Sequence, residues 1–324
     1  MKKNLFLLCL VALAMFSCGN KTQEEETVEQ SVMQTRALGA TGIQVAEIGV
    51  GCGAFADMDT AQAREFLTLA MDSGVNYIDI YDANPKVRGN IGYALQGRRD
   101  QMIIQGHIGS YWDGEQYKRT IDVEEAKKGF EDLLTLLGTD HIDVGMIHIA
   151  DTPEEWEAIV NSPFLDYVKQ LKAEGKIKHV GLSSHNTKVA LEAVKTGLVE
   201  VLMFAVNPAF DMISSDLSPW DEHAFDTLMP AIDPVRMELY DYCTQNNIAI
   251  VAMKAFGSGG GRLLNAEKTP LKSVLTPSQC LSYALSKPCV ATVVCGAKNI
   301  EELKSDLYYN RATEEEKDYS SVLK

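Results

Sequence analysis

MIIQGH, at residues 102–107, is a largely apolar run that ends in a residue able to carry a proton. Two further runs share this form, YID at 77–79 and VGMIH at 144–148. Parallel strands that are buried on both faces read as continuous apolar stretches rather than as alternating patterns. In barrels and open sheets built from such strands, the chemistry lies at the carboxyl ends. The runs therefore predict one site that gathers their end residues, which are Asp79, His107 and His148.

Apolar runs alternate with amphipathic helical patterns from Thr35 onward. One of these helical patterns continues without a break across residues 153–173. Eight strands that alternate with about eight helices are typical of a single-domain α/β fold, the (β/α)8 TIM barrel. We predict the eight strands at residues 47–51, 77–80, 102–106, 144–149, 179–183, 201–206, 248–253 and 292–295.

The glycines also favour the barrel. No G-x-G-x-x-G fingerprint follows the first predicted strand, so the doubly wound dinucleotide-binding fold is not indicated. A glycine-rich segment, GSGGG at 257–261, instead follows the seventh predicted strand. In a barrel this segment is a loop on the active-site face, where phosphate groups are often bound.

The composition is that of an ordinary globular protein, with 324 residues of which 46% are hydrophobic and 23% charged. The formal net charge is −15, whereas nucleic-acid binding requires a basic stripe that neutralises phosphates. Nucleic acid is therefore not an expected partner. Five cysteines lie beyond residue 34, and their spacing fits neither a disulfide framework nor a zinc site, so we expect no metal.

The first residues predict an export signal rather than a part of the fold. A basic start, Met1-Lys2-Lys3, precedes an apolar stretch at 5–16 that is too short to span a bilayer comfortably. The small residue before Cys18 then resembles the lipobox of bacterial lipoproteins; a plain cleaved signal with an incidental cysteine is the alternative. We therefore expect a signal peptide at 1–17 and a polar tether at 18–34 that is lipidated at Cys18.

This signal sets the expected location and the limits of the folded part. We expect an exported protein on the periplasmic or surface face of a bacterial membrane, which it contacts only through the lipid on Cys18. The barrel is expected to span residues 35–312 and to be followed by a tail at 313–324.

TRALGATGIQVAEIGVGCGAF, from Thr35, resembles the amino-terminal hairpin and first strand of the aldo/keto reductase family. The likeness covers essentially all of residues 35–310. It continues in GVNYIDIYD (74–82), IGYALQGRRD (91–100), LGTDHIDVGMIH (137–148) and LKAEGKIKHVGLSSH (171–185). The resemblance implies a (β/α)8 barrel that binds NADPH or NADH and transfers hydride to a carbonyl group.

The resemblance also implies a catalytic set of Asp, Tyr, Lys and His, of which this chain keeps two. Asp79 and His148 take the Asp and His positions, whereas Asn84 stands at the Tyr position and His107 at the Lys position. Asn84 cannot supply the proton that carbonyl reduction needs. His107 could supply it, because imidazole titrates near neutrality and the neighbouring Asp79 favours its charged form.

Two alternatives remain open at these positions. Tyr81 is a second candidate donor because it lies two residues beyond Asp79 on the same face, although a packed aromatic at the barrel rim is favoured for it. For His107 and His148 the alternative is a pair of buried, hydrogen-bonded histidines without a catalytic role.

The cofactor positions implied by the resemblance are partly retained, so we expect NADP or NAD. Ser183 and Ser184 stand where the family has Ser-Asn at the nicotinamide, and Met203 replaces a Gln. The loop with Gly296 and Lys298 resembles the one that holds the adenosine phosphate. In the following helix, Asp306 replaces the Asn that binds adenine. A branch of the family carries a cysteine-rich iron–sulfur tail, but no such cysteines precede Lys324, so no iron–sulfur cluster is expected.

Residues in the loops after the strands are candidates for the substrate pocket. Trp112 lies in the segment after the third strand, and Trp220 lies in a long segment, 211–233, after the sixth. Long loops in a compact domain are usually functional. Lys254 follows the seventh strand and could meet a phosphate or a carboxylate.

Three functions are compatible with these features. The first is an NAD(P)-dependent oxidoreductase of aldo/keto reductase type that acts on a small carbonyl compound or a sugar, with Asp79 and His107 replacing the usual proton-donor system. The second is a ligand-binding lipoprotein that kept the barrel and lost the redox chemistry. The third is an exported enzyme that holds its NAD tightly and recycles it within one reaction. The signal has Lys2-Lys3 and no twin arginine, so we expect the chain to be exported unfolded, and an unfolded chain cannot carry a cofactor with it.

Overall fold

The computed structural model describes residues 32–148, 150–218, 220–221 and 223–323. Residues from Val32 onward form one compact unit. The expected signal peptide and the lipidated Cys18 lie outside the described residues. Within the described residues, no helix has both the length and the apolar composition that a membrane span requires.

Eight parallel strands close into a barrel in which each strand pairs with its neighbours in the chain and the last pairs with the first. The predicted (β/α)8 TIM barrel is therefore confirmed. The strands are β1 (Ile48–Gly51), β2 (Tyr77–Ile80), β3 (Ile103–Ile108), β4 (Ile142–Ile147), β5 (Ile177–Ser184), β6 (Val201–Ala205), β7 (Ala249–Met253) and β8 (Val290–Cys295). Their predicted bounds are shifted by a few residues at most.

Polar residues begin most of the helices that surround the barrel. Asp59, for example, forms a capping box with Gln62, and the Asp122 carboxylate accepts from the first backbone amides of the third helix. The helices are α1 (Thr60–Asp72), α2 (Pro85–Leu95), α3 (Val123–Leu137), α4 (Pro153–Val160), α5 (Pro163–Ala173), α6 (Thr187–Lys195), α7 (Pro208–Asp211), α8 (Pro234–Gln245), α9 (Ser258–Gly261), α10 (Pro277–Leu285), α11 (Ile300–Leu307), α12 (Glu314–Lys317) and α13 (Ser320–Leu323).

The single helical pattern predicted across residues 153–173 is two helices, α4 and α5. The break lies at Asn161 and Ser162, directly before Pro163. Proline lacks the backbone N–H that would continue a helix and is favoured at the first helical position, so α5 starts anew at this residue.

Among the described residues, two hairpins lie outside the barrel. The predicted amino-terminal hairpin pairs Thr35–Ala37 with Gln44–Ala46. Its fully buried Leu38 belongs to the same hydrophobic cluster as Tyr77, at the start of β2, and the hairpin so covers the amino-terminal end of the barrel. A second hairpin, which the sequence did not predict, pairs Ser110–Trp112 with Tyr117–Arg119 directly after β3. We call it the rim hairpin, because it stands at the carboxyl ends of the strands.

Candidate active site at the carboxyl ends of the strands

The structure brings Asp79, His107 and His148 together. They lie near the ends of β2 and β3 and directly after β4, which are neighbours in the barrel. His107 Nε2 lies 2.8 Å from Asp79 Oδ1, and the other ring nitrogen of His107 is hydrogen-bonded to His148 Nδ1. Asp79 and His107 are each 1% exposed and His148 is 8% exposed. The three side chains thus form one buried, hydrogen-bonded series.

Tyr117, from the rim hairpin, extends this series. Its hydroxyl is hydrogen-bonded to His148 Nε2, so four side chains are linked in the order Asp79, His107, His148, Tyr117. We call these four residues the relay. Sequence reasoning missed Tyr117 because a short hairpin after β3 was read as a loop. Asp113-Gly114 between two short polar–aromatic runs is a typical hairpin signal and could have identified it.

The number of protons sets the direction of the hydrogen bonds in the relay. With both imidazoles neutral, Tyr117 donates to His148, His148 donates to His107, and His107 donates to the Asp79 carboxylate. One additional proton on His107, beside that carboxylate, reverses two hydrogen bonds, the one between His107 and His148 and the one between His148 and Tyr117. His107 then donates to His148, His148 donates to Tyr117, and the Tyr117 hydroxyl is free to donate to another molecule. The relay can therefore deliver one proton outward.

The environment of His148 disfavours a positive charge on its imidazole ring. Burial, followed by the proximity of His107, holds the pKa of His148 well below its ordinary value of 6.5. A positive charge is thus unstable on His148. His148 is therefore held in its neutral form, in which one ring nitrogen donates and the other accepts.

Asp79 is fixed as a hydrogen-bond acceptor by a second partner. The Gln105 amide donates to Asp79 Oδ1 at 2.5 Å, and the Gln105 carbonyl oxygen accepts from the Tyr77 hydroxyl at 2.6 Å. Burial, followed by the charge of Asp79, raises the pKa of Tyr77 well above 10, so its hydroxyl remains a donor. The carboxylate is therefore oriented from two sides.

Buried contacts hold the rim hairpin in place. Arg88 is 1% exposed and donates to the backbone oxygens of Gly129, at 2.7 Å, and of Ser110, at 3.2 Å. The Ser110 hydroxyl donates to the Tyr81 backbone oxygen at 2.6 Å. A Cβ at Gly129 would lie 2.5 Å from the Ser110 oxygen, so α3 approaches the hairpin as closely as backbone allows. Tyr117 is thus held on a rigid support.

Tyr81 packs against this hairpin at the rim. Its ring is nearly perpendicular to that of Tyr117, with 6.4 Å between the ring centroids, and it is 39% exposed. Burial of its ring raises the pKa of Tyr81 to about 12. Its hydroxyl makes no hydrogen bond with any described residue, whereas that of Tyr117 is joined to the relay.

The relay forms part of the wall of a cavity of about 790 Å³. This volume lies in the range of small-molecule and cofactor sites. The cavity extends from the carboxyl ends of β2 to β4 as far as α11. Its lining includes the candidates Asp79, His107, His148, Ser183, Trp220, Lys254, Gly296 and Lys298, together with Tyr117.

A cation and an aromatic side chain form another part of this wall. Lys254 Nζ lies 4.2 Å from the centroid of the Trp220 ring, and Trp220 Nε1 donates to the Asp151 carboxylate at 3.3 Å. Burial lowers the pKa of Lys254 to about 8. Lys254 also has a φ of 58°, in the left-handed region that non-glycine residues rarely adopt. An anionic group that entered the cavity would meet this lysine.

Three candidate residues are not among the described residues that line the cavity. Asn84 caps α2, and its side-chain oxygen accepts from the Lys86 backbone amide at 2.9 Å. Ser184 is fully buried and its hydroxyl donates to the Ala150 backbone oxygen at 2.6 Å. Trp112 lies half-buried in the rim hairpin. Each of these side chains therefore lies away from the cavity lining.

The part of the cavity beside α11 offers polar groups for a nucleotide. Gly296 and Lys298 precede this helix. The glycine-rich segment 257–261, predicted to be a loop, forms the short helix α9 from Ser258 and contributes Gly257, Ser258 and Gly261 to the lining. Small residues and backbone amides of this kind suit phosphate groups, and the relay suits a reacting carbonyl group. The lining therefore fits a dinucleotide. Among the described residues, no cluster of three or more His, Cys, Asp or Glu side chains could hold a metal ion.

Known proteins resemble this chain over most of its length. A profile of the Aldo/keto reductase family matches residues 47–279. Uncharacterized oxidoreductase YqkF of Bacillus subtilis (strain 168) is 28% identical over 298 residues, which cover 88% of this chain and 94% of that protein. L-galactose dehydrogenase of Arabidopsis thaliana is 26% identical over 211 residues, or 58% of this chain and 61% of that protein.

A solved structure supports the same fold. The holo form of aldo-keto reductase AKR11C1 from Bacillus halodurans superposes with a TM-score of 0.68 and 22% sequence identity. The match covers 90% of this chain and 96% of that one. At this identity the likeness speaks for the fold alone. Because the family profile spans well over half of the residues, the chain belongs to the aldo/keto reductase family.

Proposed function

We propose that this chain is an NAD(P)-dependent oxidoreductase that reduces a small carbonyl compound or a sugar. In this proposal, Asp79 and His107 replace the family's usual proton-donor system and act through His148 and Tyr117. The observation that carries the proposal is the unbroken series of hydrogen bonds from buried Asp79 to Tyr117 in the cavity wall. The plant relative is a dehydrogenase of a sugar, L-galactose, and this supports the proposed substrate class.

Reduction of a carbonyl group adds a hydride to carbon and a proton to oxygen. The nucleotide, when bound, would supply the hydride. As negative charge develops on the substrate oxygen, Tyr117 donates its hydroxyl proton to it. His148 returns a proton from Nε2 to Tyr117, and His107 returns one from Nδ1 to His148. The relay ends with both imidazoles neutral and His107 still donating to Asp79, so one proton has left it.

This balance fixes the direction of the pH dependence. Reduction requires the relay to hold its additional proton at the start, so its rate falls as pH rises and that proton is lost. Oxidation of an alcohol runs through the same residues in reverse and requires the relay without the additional proton. Its rate therefore rises with pH.

The residues that would hold the nucleotide lie along the rest of the cavity. Ser183 stands where the family has the Ser of its nicotinamide pair, and Gly296 and Lys298 would lie beside the diphosphate of the nucleotide. Lys254 would meet a second anionic group, either a phosphate of the nucleotide or a carboxylate of the substrate. The fit of the lining supports these roles.

One set of observations favours a non-redox binding protein as the second candidate. Ser184 is turned to the Ala150 oxygen, and Met203 lines the cavity where the family has an amide. Fewer polar groups are therefore present for a nicotinamide carboxamide. A tightly held, recycled NAD is the third candidate, since tight binding would keep the nucleotide with an exported protein.

Nucleotide titration of the purified full-length chain separates the three candidates. We expect NADH or NADPH to bind with a micromolar dissociation constant in calorimetry. Lys298→Ala should weaken binding severalfold, whereas Lys304→Ala is the matched control, because Lys304 is exposed and paired with Glu301 at 2.8 Å. If neither nucleotide binds below the millimolar range, both redox functions are refuted. Release of nucleotide on denaturation would instead support the recycling enzyme.

We further propose export and attachment to a bacterial membrane through Cys18. The support is the signal-like composition of residues 1–17 and the small residue before that cysteine. Inhibition of lipoprotein signal peptidase with globomycin should leave an unprocessed chain, and Cys18→Ala should do the same. Processing that is unaffected by both changes would contradict lipidation.

A further inference from the structure

The cavity beside α11 carries more acidic than basic side chains, and this bears on which nucleotide it accepts. The described residues that line this part include one base, Lys298, and two acids, Glu302 and Asp306. NADP differs from NAD only in a phosphate monoester on the adenosine ribose, which carries about −1.5 to −2 charges at neutral pH. The balance of charge near the ribose therefore decides whether NAD or NADP binds more tightly.

We propose that this site selects NAD(H) against NADP(H), with Glu302 as the residue that discriminates. The inference rests on the proposed function, since it takes the cavity to hold a nucleotide with its adenosine beside α11. The Glu302 carboxylate accepts a hydrogen bond from a ribose hydroxyl of NAD and repels a phosphate at the same place.

Hydrogen bonds at the start of α11 show why a phosphate is disfavoured. Glu302 Oε2 accepts from the Lys298 backbone amide at 2.8 Å, and the Asn299 side chain accepts from the Glu302 amide at 2.9 Å. These two N–H groups are among the donors that a phosphate could use at the amino end of this eight-residue helix. The protein's own side chains already occupy them, and one occupant is itself an anion.

A carboxylate held in this way suits a hydroxyl group instead. An acidic side chain that accepts from the ribose hydroxyl is the usual means by which dinucleotide sites favour NAD, whereas NADP sites place an arginine nearby. Within the described part of the chain, Lys298 is the only basic residue that lines this end of the cavity. Its single positive charge is offset by the carboxylate bound to its own backbone amide.

Asp306 provides the second, independent observation. It lines the cavity, is 4% exposed, and its Oδ2 has no hydrogen-bond partner among the described residues. Above about pH 7, where the Asp306 carboxyl is ionised, this oxygen is a buried acceptor without a partner, so a ligand that brings an N–H or O–H group here is stabilised. The amino group of an adenine or a ribose hydroxyl can donate in this way. An ionised phosphate brings only acceptors and negative charge.

The test compares the dissociation constants of NADH and NADPH for the full-length chain and its variants by calorimetry. We expect NADH to bind at least tenfold more tightly, a difference of about 1.4 kcal/mol. Glu302→Gln should reduce this ratio at least fivefold by strengthening NADPH binding, because the amide oxygen still accepts from Lys298 while the charge is lost. The ratio should also fall when the salt concentration is raised, since charges at an exposed site are screened.

Glu301→Gln is the matched control. Glu301 precedes Glu302 on the same helix, pairs with Lys304 at 2.8 Å and is not among the described residues that line the cavity, so the ratio should not change. A wild-type ratio near or below one would overturn the inference, as would a ratio that Glu302→Gln leaves unchanged. These outcomes differ from the failure of the proposed function, in which neither nucleotide binds below the millimolar range.

Discussion

Replacement of Asp306 by Asn should stabilise the protein, and increasingly so as pH rises. Burial is the main cause that raises the pKa of this carboxyl from 3.8 to about 7, followed by the charge of Glu302. The folded state therefore holds a proton on Asp306 in the pH range of about 4 to 7, in which the unfolded chain has already lost it. The contribution of Asp306 to the free energy of unfolding is fully present below about pH 4 and is lost as pH rises to about 7.

The size of the effect follows from the same values. A rise from 3.8 to about 7, at about 1.4 kcal/mol for each unit of pKa, corresponds to about 4 kcal/mol as an upper bound. Because Asp306 retains 4% exposure and the cavity is open to water, we expect about 2 to 4 kcal/mol. Asn has nearly the same shape and does not ionise, so the variant should lack this loss of stability.

Urea unfolding of the two proteins at pH 4 and pH 8, without nucleotide, measures the effect. The free energy of unfolding of the variant relative to wild type should increase by about 2 to 4 kcal/mol between these pH values. The comparison cancels any pH-independent effect of the amide itself. Asp241→Asn, at an exposed position on α8, shows what loss of a surface charge alone does. A difference that is constant with pH, or that decreases, would refute the reasoning.

Three further changes test the hairpin, the relay and the core. Tyr117→Phe should lower the rate of carbonyl reduction, measured by NADH absorbance, about 10²- to 10⁴-fold. The dissociation constant for NADH should not change. A smaller decrease in rate would show that Tyr117 does not donate the proton. Gly129→Ala should lower the free energy of unfolding by about 1 to 3 kcal/mol, because the added Cβ would clash with backbone at 2.5 Å. Gly89→Ala, in open space on α2, should be neutral or stabilising in the same urea assay. Arg236→Met should lower the free energy of unfolding by about 3 to 5 kcal/mol, because it leaves the fully buried Asp211 carboxylate without its cation. A decrease of less than about 1 kcal/mol would show that other groups stabilise the Asp211 charge.

The barrel could be predicted from the sequence because its strands are buried on both faces and therefore read as continuous apolar runs. The same feature predicted that the polar residues at the ends of three of these runs would lie close together, since the carboxyl ends of the strands meet at one end of any parallel barrel. The break before Pro163 was missed because the apolar pattern continues in phase across it, although proline itself marks the start of α5.

Other parts of the site depend on contacts that no local pattern encodes. Tyr117 reaches His148 only because Arg88 and Gly129 fix the rim hairpin against α2 and α3. Ser184 adjoins a residue that lines the cavity, yet its hydroxyl is bound to a neighbouring loop. The buried, unpartnered oxygen of Asp306 likewise arises from packing between the last strand and α11.

The most direct test of the central claim is the steady-state oxidation of NADH by wild type and His107→Ala with a panel of small aldehydes that includes methylglyoxal and glyceraldehyde. His107 stores the transferred proton in this account and does not itself hold the nucleotide. We therefore predict that wild type consumes NADH and that the variant does so about 10²- to 10⁴-fold more slowly, while both bind NADH with the same dissociation constant. Equal rates of NADH consumption by the two proteins would contradict the account.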